Sequence, residues 1–147
     1  MLEKDKVVVE KGDMVCVYTG FADVLLEMKK KPDAEARQRD LHRPQRPRRE
    51  AAAVDHRLGP APCIIADNYA VELIQTSLTD PLPTKQPWLP LHEHCLFKNG
   101  IHLGEMFYLT ELARWLREHK RSRFLLTAPP LRLPGAVGSP STAIATV

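Results

Sequence analysis

The sequence predicts an α/β domain in which helices pack on a mixed β-sheet. Two short apolar runs, at 14–18 and 63–66, are rich in the β-branched residues that suit a pleated, half-buried surface. The segment 109–120 instead repeats its apolar residues at helical spacing. Together these segments predict strands and helices within one fold.

Composition excludes several classes of protein. The chain has 147 residues, of which 44% are hydrophobic and 27% charged, as is ordinary for one soluble globular domain. It has no run of about 18 apolar residues, and its start, MLEKDKVVVEKGD, lacks the apolar core of a signal peptide. We therefore expect a cytoplasmic protein with no membrane partner. The net charge of +3 is too small to imply nucleic acid by itself.

The three cysteines favour reduced thiols. Cys16, Cys63 and Cys95 are odd in number, far apart and set among apolar residues. We therefore expect buried thiols rather than disulfides.

The N-terminal elements are a hairpin and a helix. Runs at 7–9 and 14–18 predict two strands, and the Gly and Asp of 10–13 supply the turn between them. The segment 22–31 then has apolar residues at helical spacing and a lysine-rich end, and Pro32 should stop it.

The segment 33–62 differs from the rest of the chain. It is rich in Arg, Pro and Ala and has few large apolar residues, so we expect a disordered or poorly packed insert. Its arginines could bind phosphates or RNA. No aromatic residue is interleaved for base stacking, and we expect no nucleic-acid partner. The same composition would arise from an out-of-frame stretch of a GC-rich gene, which resequencing would test.

After the insert, the sequence again predicts ordered structure, beginning with the strand at 63–66. Asp67 or Asn68 should cap the turn that follows this strand, and Glu72 should tie down a neighbouring loop. The proline-rich loop 79–90 contains Trp88 and could line one side of a pocket.

The C-terminal elements are a helix and two strands. The helix 109–120 has one apolar face, which Trp115 extends, so this tryptophan is expected in the core. A strand should follow at 124–128. Gly135 and Gly138 permit the backbone turns near the end of the chain.

The stretch 90–109 concentrates side chains that can bind metals: His92, Glu93, His94, Cys95, His102 and Glu105. On one continuous helix, His94 and Glu105 would lie roughly 16 Å apart, too far for two ligands of one ion. Gly100 suits the left-handed position just past a helix end. A shared site therefore requires the helix to end at Gly100. The alternative is a partly exposed amphipathic face without a metal.

Several blocks of the sequence resemble the cyclase family, the metal-dependent hydrolases that include bacterial kynurenine formamidase. The similar blocks are KGDMVCVYTG at 11–20, DNYAVE at 67–72, His92 with Gly100-Ile101 and Leu103-Gly104-Glu105 and Leu109, and the closing APPLRLPGAVGSPSTAIAT. They cover most of the chain outside 33–62.

The resemblance implies a divalent metal, zinc or manganese, with Glu105 and His92 as ligands. His94 is the competing choice, because the spacing from His92 to Glu105 is one residue longer than the usual form of the motif. The implied reaction is hydrolysis of an amide or related carbonyl in a small molecule, as in the deformylation of N-formylkynurenine in tryptophan catabolism. The resemblance also implies a homo-oligomer.

One family motif has no counterpart in the sequence. The N-terminal His-X-Gly-Thr-His-X-Asp-X-Pro motif supplies most metal ligands of the family, and His42 and His56 lack its Gly-Thr context. We therefore expect 1–147 to be a single incomplete cyclase-like domain, the C-terminal portion of the fold, with 33–62 as an insert. No catalytic residue is assigned. The competing hypothesis is a truncated, inactive remnant that at most binds a partner, and a nucleic-acid-binding module is a third.

Overall fold

The computed structural model describes residues 7–31, 33, 63–72 and 89–147. All of the predicted insert at 33–62 except its first residue lies outside the described residues, and so does most of the loop at 79–90, with Trp88. His42 and His56 also lie outside them. The chain divides into two compact units, Met1–Thr110 and Glu111–Val147.

A three-stranded parallel sheet forms the centre of the first unit. Its strands are β1 (Met14–Val17), β2 (Cys63–Ala66) and β3 (His102–Gly104), in the order β1-β2-β3. Val15 pairs with Ile64, and Ile64 pairs with Leu103. β2 is apolar at every position because, as the middle strand of a parallel sheet, it is covered on both faces. The predicted buried strand at 63–66 is confirmed.

The helices of this unit follow strand ends. α1 (Phe21–Glu27) comes after β1, and α2 (Pro90–His92) continues directly into a π-helix (Glu93–Asn99). The π-helix packs on one face of β2, where the buried cluster consists of Ile64, Leu91, Cys95 and Ile101, with Val71 and Leu103 against it. This cluster fixes the position of the helix relative to the sheet.

α1 is shorter than predicted. The sequence predicts a helix to residue 31, whereas α1 ends at Glu27. The backbone turns left-handed at Lys29 and Lys30, with φ of 46° and 65°, so the chain leaves the helix before Pro32 acts as a breaker.

The predicted N-terminal hairpin is wrong in its first strand. Residues 7–10 form no strand, although the expected turn does form, with Asp13 N–H donating to the Glu10 carbonyl at 3.1 Å. β1 pairs in parallel with β2 instead. The physical reason is burial: β2 is the buried middle strand, so pairing with it removes more apolar surface of β1 from water than pairing with the half-buried or exposed residues 7–10 would.

The second unit contains a helix and an antiparallel strand pair. α3 (Thr110–Glu118) is followed by β4 (Leu125–Thr127) and β5 (Ile144–Thr146), with Leu126 opposite Ala145. The predicted helix at 109–120 and strand at 124–128 are confirmed. The described residues thus form a parallel and an antiparallel sheet together with helices, and the α/β fold class is confirmed as well.

Trp115 belongs to the end of α3 rather than to a closed core. It is only half-buried, and its ring stacks on His119 with centroids 3.9 Å apart. The Arg121 guanidinium lies 5.4 Å from the same ring, within the range of a cation–π contact. These contacts replace the predicted core position.

All three thiols are free, as predicted. Cys95 is buried, and Cys16 and Cys63 are half-buried. Burial and the neighbouring Cys63 raise the pKa of Cys16 to about 11, and burial also raises the pKa of Cys63. No helix in the described ranges has the length and apolar character needed to cross a membrane.

Candidate functional site

Polar side chains follow each strand of the parallel sheet. Thr19 comes shortly after β1, Asp67 directly follows β2, and Glu105 directly follows β3. Because the carboxyl ends of parallel strands meet at one edge, these residues share that edge, which is where open α/β sheets bind ligands. The candidate site lies here.

Asp67 joins the ends of β1 and β2. Its buried carboxylate accepts hydrogen bonds from Thr19 N–H (2.7 Å), the Thr19 hydroxyl (2.7 Å) and Gly20 N–H (2.8 Å). Asp67 therefore holds the loop after β1, whereas the sequence predicts that it or Asn68 caps the turn after β2.

His92 lies between two carboxylates. Its Nδ1 is 2.9 Å from Glu72 Oε1, and its Nε2 is 2.9 Å from Glu105 Oε1. The second oxygen of Glu105 accepts the Ala70 N–H at 3.1 Å. The Glu72 side chain is 11% exposed and that of Glu105 is 31% exposed, so the Glu105 side of the ring is the one open to solvent.

The end of the π-helix brings His92 and Glu105 together. The helix ends at Asn99, and Gly100 adopts a left-handed backbone with φ of 64°. β3 then leads the chain back along β2, and Glu105 follows its last residue. The geometric condition deduced from the sequence is therefore met, and His92 is the histidine whose ring lies against Glu105.

The other metal-capable side chains of 90–109 lie in different settings. Cys95 is buried in the apolar cluster, and Glu93 pairs with Lys98 at 2.6 Å. His102 is exposed on β3. Across the described ranges, no group of three or more His, Cys, Asp and Glu side chains is arranged to hold a metal ion.

Backbone strain borders both carboxylates. Ala70 and Val71, just before Glu72, have φ of 67° and 58°, and Met106, just after Glu105, has φ of 57°. A left-handed backbone is unusual for any residue with a Cβ, and a genuine outlier for β-branched valine. Such strain persists only where the surroundings impose it and tends to collect at functional sites.

His92 and Glu105 fit a divalent metal as a pair of ligands. Imidazole nitrogen with carboxylate oxygen suits zinc and manganese. Two atoms that each lie about 2.1 Å from one ion are roughly 3 Å apart when the bonds meet at a right angle, close to the spacing seen here. The other ring nitrogen faces a carboxylate, one of the usual partners of a metal-bound histidine.

Comparison with solved structures identifies the fold. The chain is similar to a protein described as a novel cyclase, with 27% identity and a TM-score of 0.70, over 99% of this chain and 43% of the other. The chain has a cyclase-family fold. It spans less than half the length of that cyclase. The sequence matches no protein-family model, and no curated protein is similar enough to be a significant match.

One contact of the candidate site has no signal in the sequence. The sequence predicts that Glu72 ties down a neighbouring loop, but it holds the start of α2 instead, since Leu91 N–H and His92 N–H donate to its carboxylate at 2.8 and 3.1 Å. Its contact with the His92 ring was not foreseen. The two residues are 20 positions apart, and no fixed spacing rule connects them.

Proposed function

We propose that this chain forms part of the active site of a metal-dependent hydrolase, with His92 and Glu105 as two ligands of a divalent ion. One observation carries the proposal: His92 Nε2 lies 2.9 Å from Glu105 Oε1 at the carboxyl edge of a parallel sheet. The cyclase-family fold and the strained backbone around the carboxylates support it.

The proposed reaction is hydrolysis of an amide or a related carbonyl in a small molecule, of the arylformamidase type. A bound divalent metal makes water a stronger nucleophile at neutral pH and polarises the carbonyl that water attacks. His92 and Glu105 hold this ion. The Ala70 N–H fixes one oxygen of Glu105 and leaves the other directed at His92.

The remaining ligands are proposed to come from outside the described residues. Catalytic zinc sites usually have three protein ligands, and the described ranges supply two. A second copy of the chain in a homo-oligomer is one source. If two copies share one ion through His92 and Glu105 of each, the metal content would be one ion per two chains, and the protein would sediment as an oligomer.

The test is metal affinity of the purified chain, measured by calorimetry with zinc and manganese and checked by elemental analysis. Glu105→Gln keeps the size of the side chain but replaces the anionic ligand, and it should weaken binding at least about tenfold. Glu93→Gln is the matched control, since Glu93 pairs with Lys98, and it should bind like the wild type. The rate of aryl formamide hydrolysis should likewise fall in Glu105→Gln and stay at the wild-type value in Glu93→Gln.

Binding that Glu105→Gln leaves unchanged would contradict the assignment of Glu105. A wild-type chain that binds neither metal at millimolar concentration would contradict the hydrolase proposal as a whole. That result would favour an inactive remnant of the fold that binds a partner.

A further inference from the structure

One carboxylate holds both the backbone and the ring of His92. Glu72 Oε1 accepts the His92 N–H at 3.1 Å and lies 2.9 Å from His92 Nδ1, while Oε2 accepts the Leu91 N–H at 2.8 Å. The residue is thus fixed at its main chain and at one edge of its ring. A ring held at these two points cannot rotate freely about its side-chain bonds.

The two carboxylates that flank the ring differ in their surroundings. A neutral imidazole donates through one nitrogen and accepts at the other. Glu72 is the more buried carboxylate, and a buried acceptor gains more from a donor than one open to water. The ring proton therefore belongs on Nδ1, facing Glu72.

That proton position determines what Nε2 can do. With Nδ1 protonated, Nε2 presents a lone pair to Glu105 Oε1, 2.9 Å away. Two acceptor atoms at this distance repel each other unless a proton or a metal ion lies between them. The more exposed side of the ring is therefore prepared for a cation.

The backbone before Glu72 supports a functional placement. Ala70 and Val71 both adopt left-handed φ angles, and Val71 packs against the apolar cluster. Strain of this kind costs on the order of the energy of one or two hydrogen bonds and must be imposed by surrounding contacts. The contacts around Val71 thus impose the backbone path that places Glu72 beside His92.

We infer that Glu72 is a positioning residue: it holds the proton of His92 on Nδ1 and so directs Nε2 toward Glu105 as a metal-binding atom. The part of this inference that concerns metal binding rests on the proposed function. The position of the ring proton does not depend on that proposal, because it can be measured in the metal-free chain.

The test is nitrogen-15 NMR of the chain labelled at its histidine rings. In the metal-free wild type, at a pH where the His92 ring carries one proton, that proton should reside on Nδ1. With zinc added, Nε2 should be the coordinated nitrogen. An Nε2 proton in the metal-free wild type, or zinc on Nδ1, would overturn the inference without any variant.

Variants separate positioning from folding. Glu72→Met keeps the length of the side chain without an acceptor, and it should shift the proton toward Nε2 and weaken zinc binding about 10-fold to 100-fold. Glu72→Gln retains a carbonyl oxygen for Nδ1 and should restore most of the Nδ1 tautomer. Glu93→Gln, one residue from His92, should change neither. If Glu72 had only a structural role, Glu72→Met and Glu72→Gln would both have a lower unfolding midpoint, and the His92 tautomer would be unchanged in both.

The NMR and zinc-binding results together distinguish a failure of this inference from a failure of the proposed function. A wild-type chain with the proton on Nδ1 and no zinc affinity would uphold the role of Glu72 and contradict the hydrolase. A chain that binds zinc through His92 Nδ1 would uphold the metal site and contradict the role of Glu72.

Discussion

Asp67 and Thr19 are joined by two hydrogen bonds across 48 residues of sequence. The carboxylate accepts the Thr19 N–H and the Thr19 hydroxyl, both at 2.7 Å, and also the Gly20 N–H at 2.8 Å. Since Asp67 directly follows β2, this network fixes the loop after β1 to the neighbouring strand. It is a polar link at the same sheet edge as the candidate site.

Replacing this carboxylate should destabilise the fold strongly. In Asp67→Asn the amide has one oxygen to accept where the carboxylate had two, and its NH2 group would face a backbone N–H. We expect a loss of roughly 2–4 kcal/mol in the free energy of unfolding, because a buried charge-assisted bond is lost and a buried donor is left without an acceptor. Urea denaturation measures it.

Asp13→Asn is the control for this prediction. Asp13 also accepts a backbone hydrogen bond, from Glu10 N–H at 2.8 Å, but in an exposed turn. Water can replace that bond, so the cost should stay below about 1 kcal/mol. Equal losses in the two variants would show that burial of Asp67 does not matter.

Gly104 has no room for a side chain. A Cβ there would meet Ile65 Cγ1 at 2.9 Å and Phe107 Cε2 at 3.0 Å. Gly104→Ala should therefore cost about 1–3 kcal/mol through overpacking. Because Glu105 is the next residue, the same change should also weaken zinc binding.

Gly138→Ala is the matched change, since a Cβ at Gly138 meets nothing within 4 Å and its backbone is not left-handed. It should leave the unfolding midpoint and zinc binding unchanged. If Gly104→Ala behaved like Gly138→Ala, the close packing of β3 on Ile65 would be contradicted.

Glycine in place of Lys120, at the end of α3, should stabilise the folded chain. Lys120 has φ of 52°, and it stands at the left-handed position of a cap in which Arg121 N–H donates to the Leu116 carbonyl at 2.9 Å. Lys120→Gly should raise the free energy of unfolding by about 0.5–1 kcal/mol relative to Lys120→Ala. Thermal unfolding of the two variants measures the difference, and a more stable alanine variant would contradict the cap.

Local signals in the sequence were sufficient for part of the fold. The strand at 63–66 and the helix at 109–120 were predicted because a buried apolar run and an amphipathic period depend only on nearby residues. The hairpin was wrong because strand pairing is decided by distant partners: β1 pairs with β2 rather than with 7–9.

The candidate site was predicted only in part for the same reason. The break at Gly100 is local, so the approach of Glu105 to the histidines was foreseen as a condition. The contact between Glu72 and His92 depends on how β2, α2 and the segment between them fold together, and no local pattern encodes it. Left-handed valine at position 71 likewise has no sequence signal, since its own propensity opposes it.

The Cys16 thiol should make stability fall at alkaline pH. Its pKa rises from 9.0 to about 11 in the folded chain because burial disfavours the thiolate and Cys63 lies nearby. Between these values the unfolded chain has lost the proton and the folded chain has kept it, so unfolding is increasingly favoured as the pH rises through this window. The stabilisation present below pH 9 should decrease by about 2–3 kcal/mol by pH 11.

The measurement is the free energy of unfolding at pH 8 and pH 11 for the wild type and Cys16→Ala. Lysines, tyrosines and Cys63 titrate in both proteins, so the difference between their pH dependences isolates Cys16. The wild type should lose more stability than Cys16→Ala over this interval. Iodoacetamide should also modify Cys16 slowly at pH 9 in the folded chain and rapidly in urea, because only the thiolate reacts. Fast modification of the folded chain at pH 9 would show that the thiol is not protected by burial.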